Sequence, residues 1–179
     1  MADIRSRLVE EIPRLRRYAR TLTRDVTAAD DLVQDCLTRA LSKSHLWQEG
    51  SDLRAWLFTI LHNQYVNQVR RSVREGTAAA LNDDEPGLTG APSQDKRIEL
   101  RDLERALAKL PDEQRSALLL VGMEGMQYEE VATVLDVPVG TVRSRLSRAR
   151  RKLQNQTSRN REPGSASEQV SGDRVGGTR

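Results

Sequence analysis

The sequence predicts an all-α protein of two small helical domains joined by a flexible linker. Apolar residues recur at spacings of three and four through most of the chain, and no segment alternates with the period of a strand. Between them, residues 76–97 hold three glycines, two prolines and no aromatic, a composition suited to a linker. With 31% charged and 37% hydrophobic residues in 179, the apolar material suffices for small cores only.

The elements follow in order. Leu8, Ile12, Leu15, Ala19 and Leu22 place one apolar stripe on a first helix. Thr27, with Asp30 three residues on, resembles a capping box that opens a second helix, where Leu32, Val33, Cys36, Leu37, Ala40 and Leu41 share a face. Ser51 is a candidate cap for a third, carrying Leu53, Trp56, Leu57, Ile60 and Leu61. These make a first domain over 4–75. After a linker over 76–96, a second domain over 97–155 begins with Leu100, Leu103, Leu107 and Leu110, a stripe stopped by Pro111. Asp112 and Glu113 then suit a new helix N-terminus. Residues 156–179 offer only Ala166, Val170 and Val175 as apolar side chains and are expected to be a disordered tail.

The most informative stretch is Gly125 to Leu153. Tyr128 to Leu135 reads as a short helix with Val131, Ala132 and Leu135 inward, and Asp136-Val137-Pro138 as a tight turn. A further helix follows from Val139–Thr141, with Val142, Leu146, Ala149 and Leu153 on its buried face. Between Val137 and Leu153 stand six basic residues and no acid. A short helix, a tight turn and a basic amphipathic helix form the helix-turn-helix pattern. Thr141, Arg143, Ser144, Arg145, Ser147, Arg148 and Arg151 are its candidate DNA contacts. Arginine bonds guanine bidentately, hydroxyls meet bases or phosphates, and the remaining cations neutralise phosphate.

These residues resemble region 4 of bacterial sigma factors of the extracytoplasmic-function (ECF) group, within the sigma-70 family. The similarity lies in Leu110-Pro111-Asp112-Glu113, in Glu124 through Ala132, and in Gly140-Thr141-Val142-Arg143-Ser144-Arg145 through Arg150. Gln127 departs from the family's usual Ser or Thr cap, which predicts a weaker N-cap. The first domain resembles region 2, through Asp30-Asp31-Leu32-Val33-Gln34-Asp35 and the run Leu53 to Asn63, closed by Arg70-Arg71.

The resemblance implies a factor that binds core RNA polymerase, on the β′ clamp helices and the β flap, and reads the −35 and −10 elements of promoter DNA. It implies polymerase docking at Asp31, Leu32, Gln34 and Asp35. It also implies −10 recognition around Trp47, Asn63, Tyr65, Asn67, Arg70 and Arg71, and an anti-sigma factor as regulator. Read on their own chemistry, several of these residues keep alternatives. Trp56 fits the core, Asn63 suits a helix cap as well as a base edge, and Arg70, Arg71 and Arg74 suit a solvated face as well as a phosphate track.

Composition excludes other classes. A single cysteine, Cys36, and two histidines, His45 and His62, leave neither a disulfide framework nor a metal set. No cofactor is expected, and no acid cluster or nucleophile–base pair supports an enzyme. The longest apolar run, Ala117 to Val121, is far short of a membrane span, and no signal peptide is visible. A soluble cytoplasmic protein is the expectation. A conventional helix-turn-helix regulator with a sensing or dimerising first domain is the rival reading.

Overall fold

Asp25 and Asp52, rather than Thr27 and Ser51, open the second and third helices. In this computed structural model, which describes residues 4–48, 50–76 and 94–161, the Asp25 carboxylate accepts the Ala28 N–H at 2.8 Å and Asp52 accepts the Ala55 N–H at 3.1 Å. Each satisfies a backbone donor that the first helical turn leaves without a partner. Asp30, expected in a capping box, instead faces back to Arg16 at 3.4 Å and Arg20 at 3.9 Å.

The first domain comprises α1 (Ile4–Thr23), α2 (Val26–Ser42), a 3-10 turn (Ser44–Leu46) and α3 (Leu53–Arg74). The second comprises α4 (Gln94–Ala108), α5 (Asp112–Gly122), α6 (Tyr128–Leu135) and α7 (Val139–Arg161). No strand occurs among the described residues. Helix α4 therefore begins inside the expected linker and α7 runs six residues into the expected tail; residues 77–93 and 162–179 lie outside the described residues. Pro13 sits inside α1 at a cost of about 3 kcal/mol. Burial of Leu8, Leu15, Tyr18 and Leu22, at about 1.5–3 kcal/mol each, outweighs it.

The turn before α7 closes as a Schellman motif. The Val137 N–H donates to Ala132 O at 3.0 Å and the Asp136 N–H to Thr133 O at 3.3 Å, with Asp136 left-handed at φ 52°. Asp136 thus makes the turn ahead of Pro138. At the other end of α6 the Glu130 carboxylate accepts the Gln127 N–H at 2.6 Å. The missing Ser or Thr cap is offset from the helix's own first turn.

The two domains do not keep separate cores. Helix α1 packs on α5 and α3 on α6, so one buried cluster runs from Leu8 through Phe58 and Leu61 to Leu120, Val131 and Leu146.

Candidate nucleic-acid and polymerase interfaces

Three surfaces carry the residues singled out by the sequence. On α7, the buried stripe of Val142, Leu146 and Ala149 turns the opposite face outward. Arg143, Ser147, Arg148 and Arg151 are exposed there, with Thr141 and Ser144 half-buried. At 100° per residue, Arg143 and Arg148 border this face on its two sides, with Ser147 and Arg151 between them. Arg143, Ser147 and Arg151 also line an open groove shared with Tyr128 of α6 and with Arg150 and Gln154. Its polarity and position suit a duplex rather than a small molecule. Two candidates sit differently. The Ser144 hydroxyl donates to Thr141 O at 3.0 Å, within the helix. Arg145 turns away from the outward face to pair with Glu113 of α5 at 3.1 Å, its side chain 15% exposed. It ties α7 to α5, a role the basic run conceals.

On α3, Asn63, Asn67 and Arg70 are exposed and step by four and three, so they share one face, with Arg71 beside it. The Arg71 guanidinium is held by Glu75 at 2.7 Å. Trp47, after the 3-10 turn, is half-buried, with the Arg7 guanidinium over its ring at 5.0 Å. Trp56 is also half-buried and packs against the core. Tyr65 does not join the Asn63 face. It is buried on the opposite side of α3, its hydroxyl 3.2 Å from Asp112 Oδ2 and 3.4 Å from Leu22 O, accepting from Arg115 at 3.3 Å. Burial, chiefly, raises its pKa, so it stays a neutral phenol.

On α2, Asp31, Gln34 and Asp35 are exposed and form a polar, acidic face. Leu32 is not part of it. It is fully buried on the far side with Ala29, Val33, Cys36 and Ala40. Its place in the matching motif reflects packing against the rest of the bundle.

Cys36 and His62 lie in the interior. Burial pushes the Cys36 thiol up to about 12, and its Sγ lies 3.5 Å from Leu57 O. Burial, with Arg145 nearby, pulls His62 down to about 4, so its imidazole is neutral at pH 7, with Nδ1 3.3 Å from the Tyr18 hydroxyl. No group of three or more His, Cys, Asp or Glu placed to hold a metal occurs among the described residues.

The polar contacts between the domains join residues far apart in sequence, so no spacing in the chain pairs them. The Glu124 carboxylate is completely buried; Arg17 of α1 grips it at 2.7 and 3.1 Å, and Arg54 of α3 approaches at 3.5 Å. Arg54 also donates to the Glu124 carbonyl, and Arg17 to Met123 O at 3.4 Å. Arg115 bonds Asp112 at 2.5 Å and reaches Leu22 O at 3.3 Å.

Comparison with known proteins fits these surfaces to one family. Residues 8–62 match the family model described as the Sigma2 domain of PhyR, and residues 100–153 match Sigma-70, region 4. The chain is 41% identical over 156 residues to the ECF RNA polymerase sigma factor EcfG of Rhodopseudomonas palustris, covering 84% of this chain and 83% of that one. This chain belongs to the ECF sigma factors. YlaC of Bacillus subtilis, an RNA polymerase sigma factor, is 32% identical over 147 residues, 78% of this chain and 83% of that one. Among solved structures, the sigma factor RpoE of Bartonella quintana, in complex with the anti-sigma factor NepR, is 34% identical. It superposes with a TM-score of 0.76 over 90% of this chain and 100% of that one. A score of that size requires both domains to superpose together. This sigma factor accordingly binds RNA polymerase and directs promoter-specific transcription initiation, with DNA binding by its helix-turn-helix. No described helix is long and apolar enough to cross a membrane.

Proposed function

We propose that the two domains of this sigma factor divide promoter recognition. The α7 face bearing Arg143, Ser147, Arg148 and Arg151 enters the major groove of the −35 element. Asn63, Asn67 and Arg70 on α3 contact the −10 element, and the Asp31–Gln34–Asp35 face of α2 docks on the polymerase. The observation that carries this reading is the sorting of charge. The cations project outward from α7 and the end of α3, while the exposed acids of α2 share a separate face. An acidic face repels DNA and complements a basic protein surface. The chain itself supplies binding and positioning, and the polymerase supplies the chemistry. It acts in the cytoplasm, where its template lies. An anti-sigma factor is its regulatory partner, as NepR is for RpoE of Bartonella quintana.

The division is tested with a promoter library randomised at both elements, transcribed by core polymerase with each variant. Arg143→Ala is expected to cost about 1–3 kcal/mol at one −35 position and relax specificity there. Arg151→Ala is expected to weaken all sequences alike and lower the salt slope by about one. Asn63→Ala changes preference within the −10 element only. An Arg143 effect confined to −10, or an Asn63 effect confined to −35, would overturn the assignment.

A further inference from the structure

Arg145 stands in the middle of the basic run of α7 yet does not share its groove-facing side. It is two residues from both Arg143 and Ser147, so it lies about 160° around the helix from each. Those two, with Arg151, line the groove beside Tyr128. Arg145 is instead 15% exposed, and its Nη2 meets Glu113 Oε2 of α5 at 3.1 Å. Glu113 stands on the first turn of α5, where a carboxylate also complements the helix N-terminus.

The two helices joined by this pair are held differently. Helix α5 is a fixed reference, with Ser116, Ala117, Leu119 and Leu120 buried. Helix α7 packs on α5 and α6 with Val142, Leu146 and Ala149 buried. Apolar packing is non-directional, so that stripe keeps α7 against the domain without fixing its roll about its own axis. Roll matters to base reading. At roughly 6 Å from the axis, a turn of about 10° carries a side-chain tip through about 1 Å. That is enough to pull an arginine–guanine contact out of hydrogen-bond range. A directed charge pair at the edge of the stripe supplies what the stripe lacks. Its contribution to folding is small, because Glu113 stays in water at 72% exposure.

We propose that Glu113 is a specificity-determining positioning residue: through Arg145 it sets the roll of α7, and with it which −35 bases Arg143 and Ser147 read, while neither member of the pair touches DNA. The inference deepens the −35 reading of α7 given above and rests on it. It gives an acid of α5 a role in promoter choice and takes Arg145 out of the set of cations that neutralise phosphate.

The test uses the full chain with core polymerase and the promoter library randomised at both elements, with Glu113→Gln, Arg145→Met and the double variant. Methionine keeps much of the arginine's apolar stem and drops its charge. Each single variant is expected to lower discrimination at the −35 positions about fivefold, with −10 preference and the urea midpoint near those of the parent. The double variant should lose no more than either single one, because both act on one contact. The salt dependence of promoter-complex formation separates positioning from contact. Arg145→Met should leave the salt slope as it is in the parent, whereas Arg151→Ala lowers it by about one.

Unchanged −35 discrimination in either single variant would overturn the proposal. So would a salt slope lowered by Arg145→Met, which would make Arg145 a DNA contact, or equal losses at both elements, which would mark a general loosening of the fold. Losses that add in the double variant would show two separate roles and break the coupling. If Arg143→Ala leaves −35 preference untouched, the reading of α7 fails and the proposal with it; with that control intact, the other outcomes bear on Glu113 alone.

Discussion

Leu120→Ala will destabilise the whole chain by about 2–5 kcal/mol, and the loss will be felt in the first domain although Leu120 belongs to the second. Leu120 is completely buried in α5, in the cluster that continues through α1 and α3. Truncation leaves a cavity in a shared core, and the cost adds lost burial to lost packing. Both tryptophans, Trp47 and Trp56, are in the first domain. Their fluorescence therefore reports that domain, while circular dichroism reports the helices of both. In urea, the expected result is one transition, with the two signals shifting together in the variant. A fluorescence midpoint that stayed in place while part of the helical signal melted early would show two independent cores.

Reversing charge at Asp31 and Asp35, both to Lys, should remove most of the affinity for core polymerase while leaving the fold intact. Both carboxylates are exposed on α2, away from the buried stripe, so substitution disturbs no packing. If they face cations on the polymerase, each reversal turns attraction into like-charge contact, worth several kcal/mol together. The measurement is competition against a labelled reference sigma factor for purified core enzyme, at two salt concentrations. The parent chain displaces the label, and the double variant does so at a concentration at least about a hundredfold higher. Unchanged competition with unchanged helicity would show that the acidic face points elsewhere.

The helices are legible because burial on a helix leaves a period, which holds in α1, α3 and α7, whereas Leu41 of the α2 stripe and Leu103 of the α4 stripe are 44% and 48% exposed. Their starts were displaced by one or two residues, since Asp25 and Asp52 compete with Thr27 and Ser51 for the same orphan N–H groups and the carboxylates won. Leu32 shows motif and periodicity in conflict. Its place in a docking motif suggested a contact, while its position in the stripe with Val33 and Cys36 placed it in the core, and the core holds it. Arg145 and Tyr65 sit away from the faces that carry the other candidates for a different reason. Their partners, Glu113 and the Asp112–Arg115 pair, lie 32 to 50 residues away in sequence, and a contact between distant helices leaves no spacing to read. The same holds for Glu124, 107 residues from Arg17. Its one visible cue is an acid set between the apolar Met123 and Met126.

The most direct measurement is run-off transcription with purified core polymerase, this chain and a pool of fragments from the genome that encodes it. The account predicts new transcripts from a small set of fragments, absent without the chain. Their upstream regions should share two sequence blocks at fixed spacing, one near −35 and one near −10. No new start sites, together with tight binding of the chain to a single duplex site without polymerase, would contradict it and identify a conventional regulator instead.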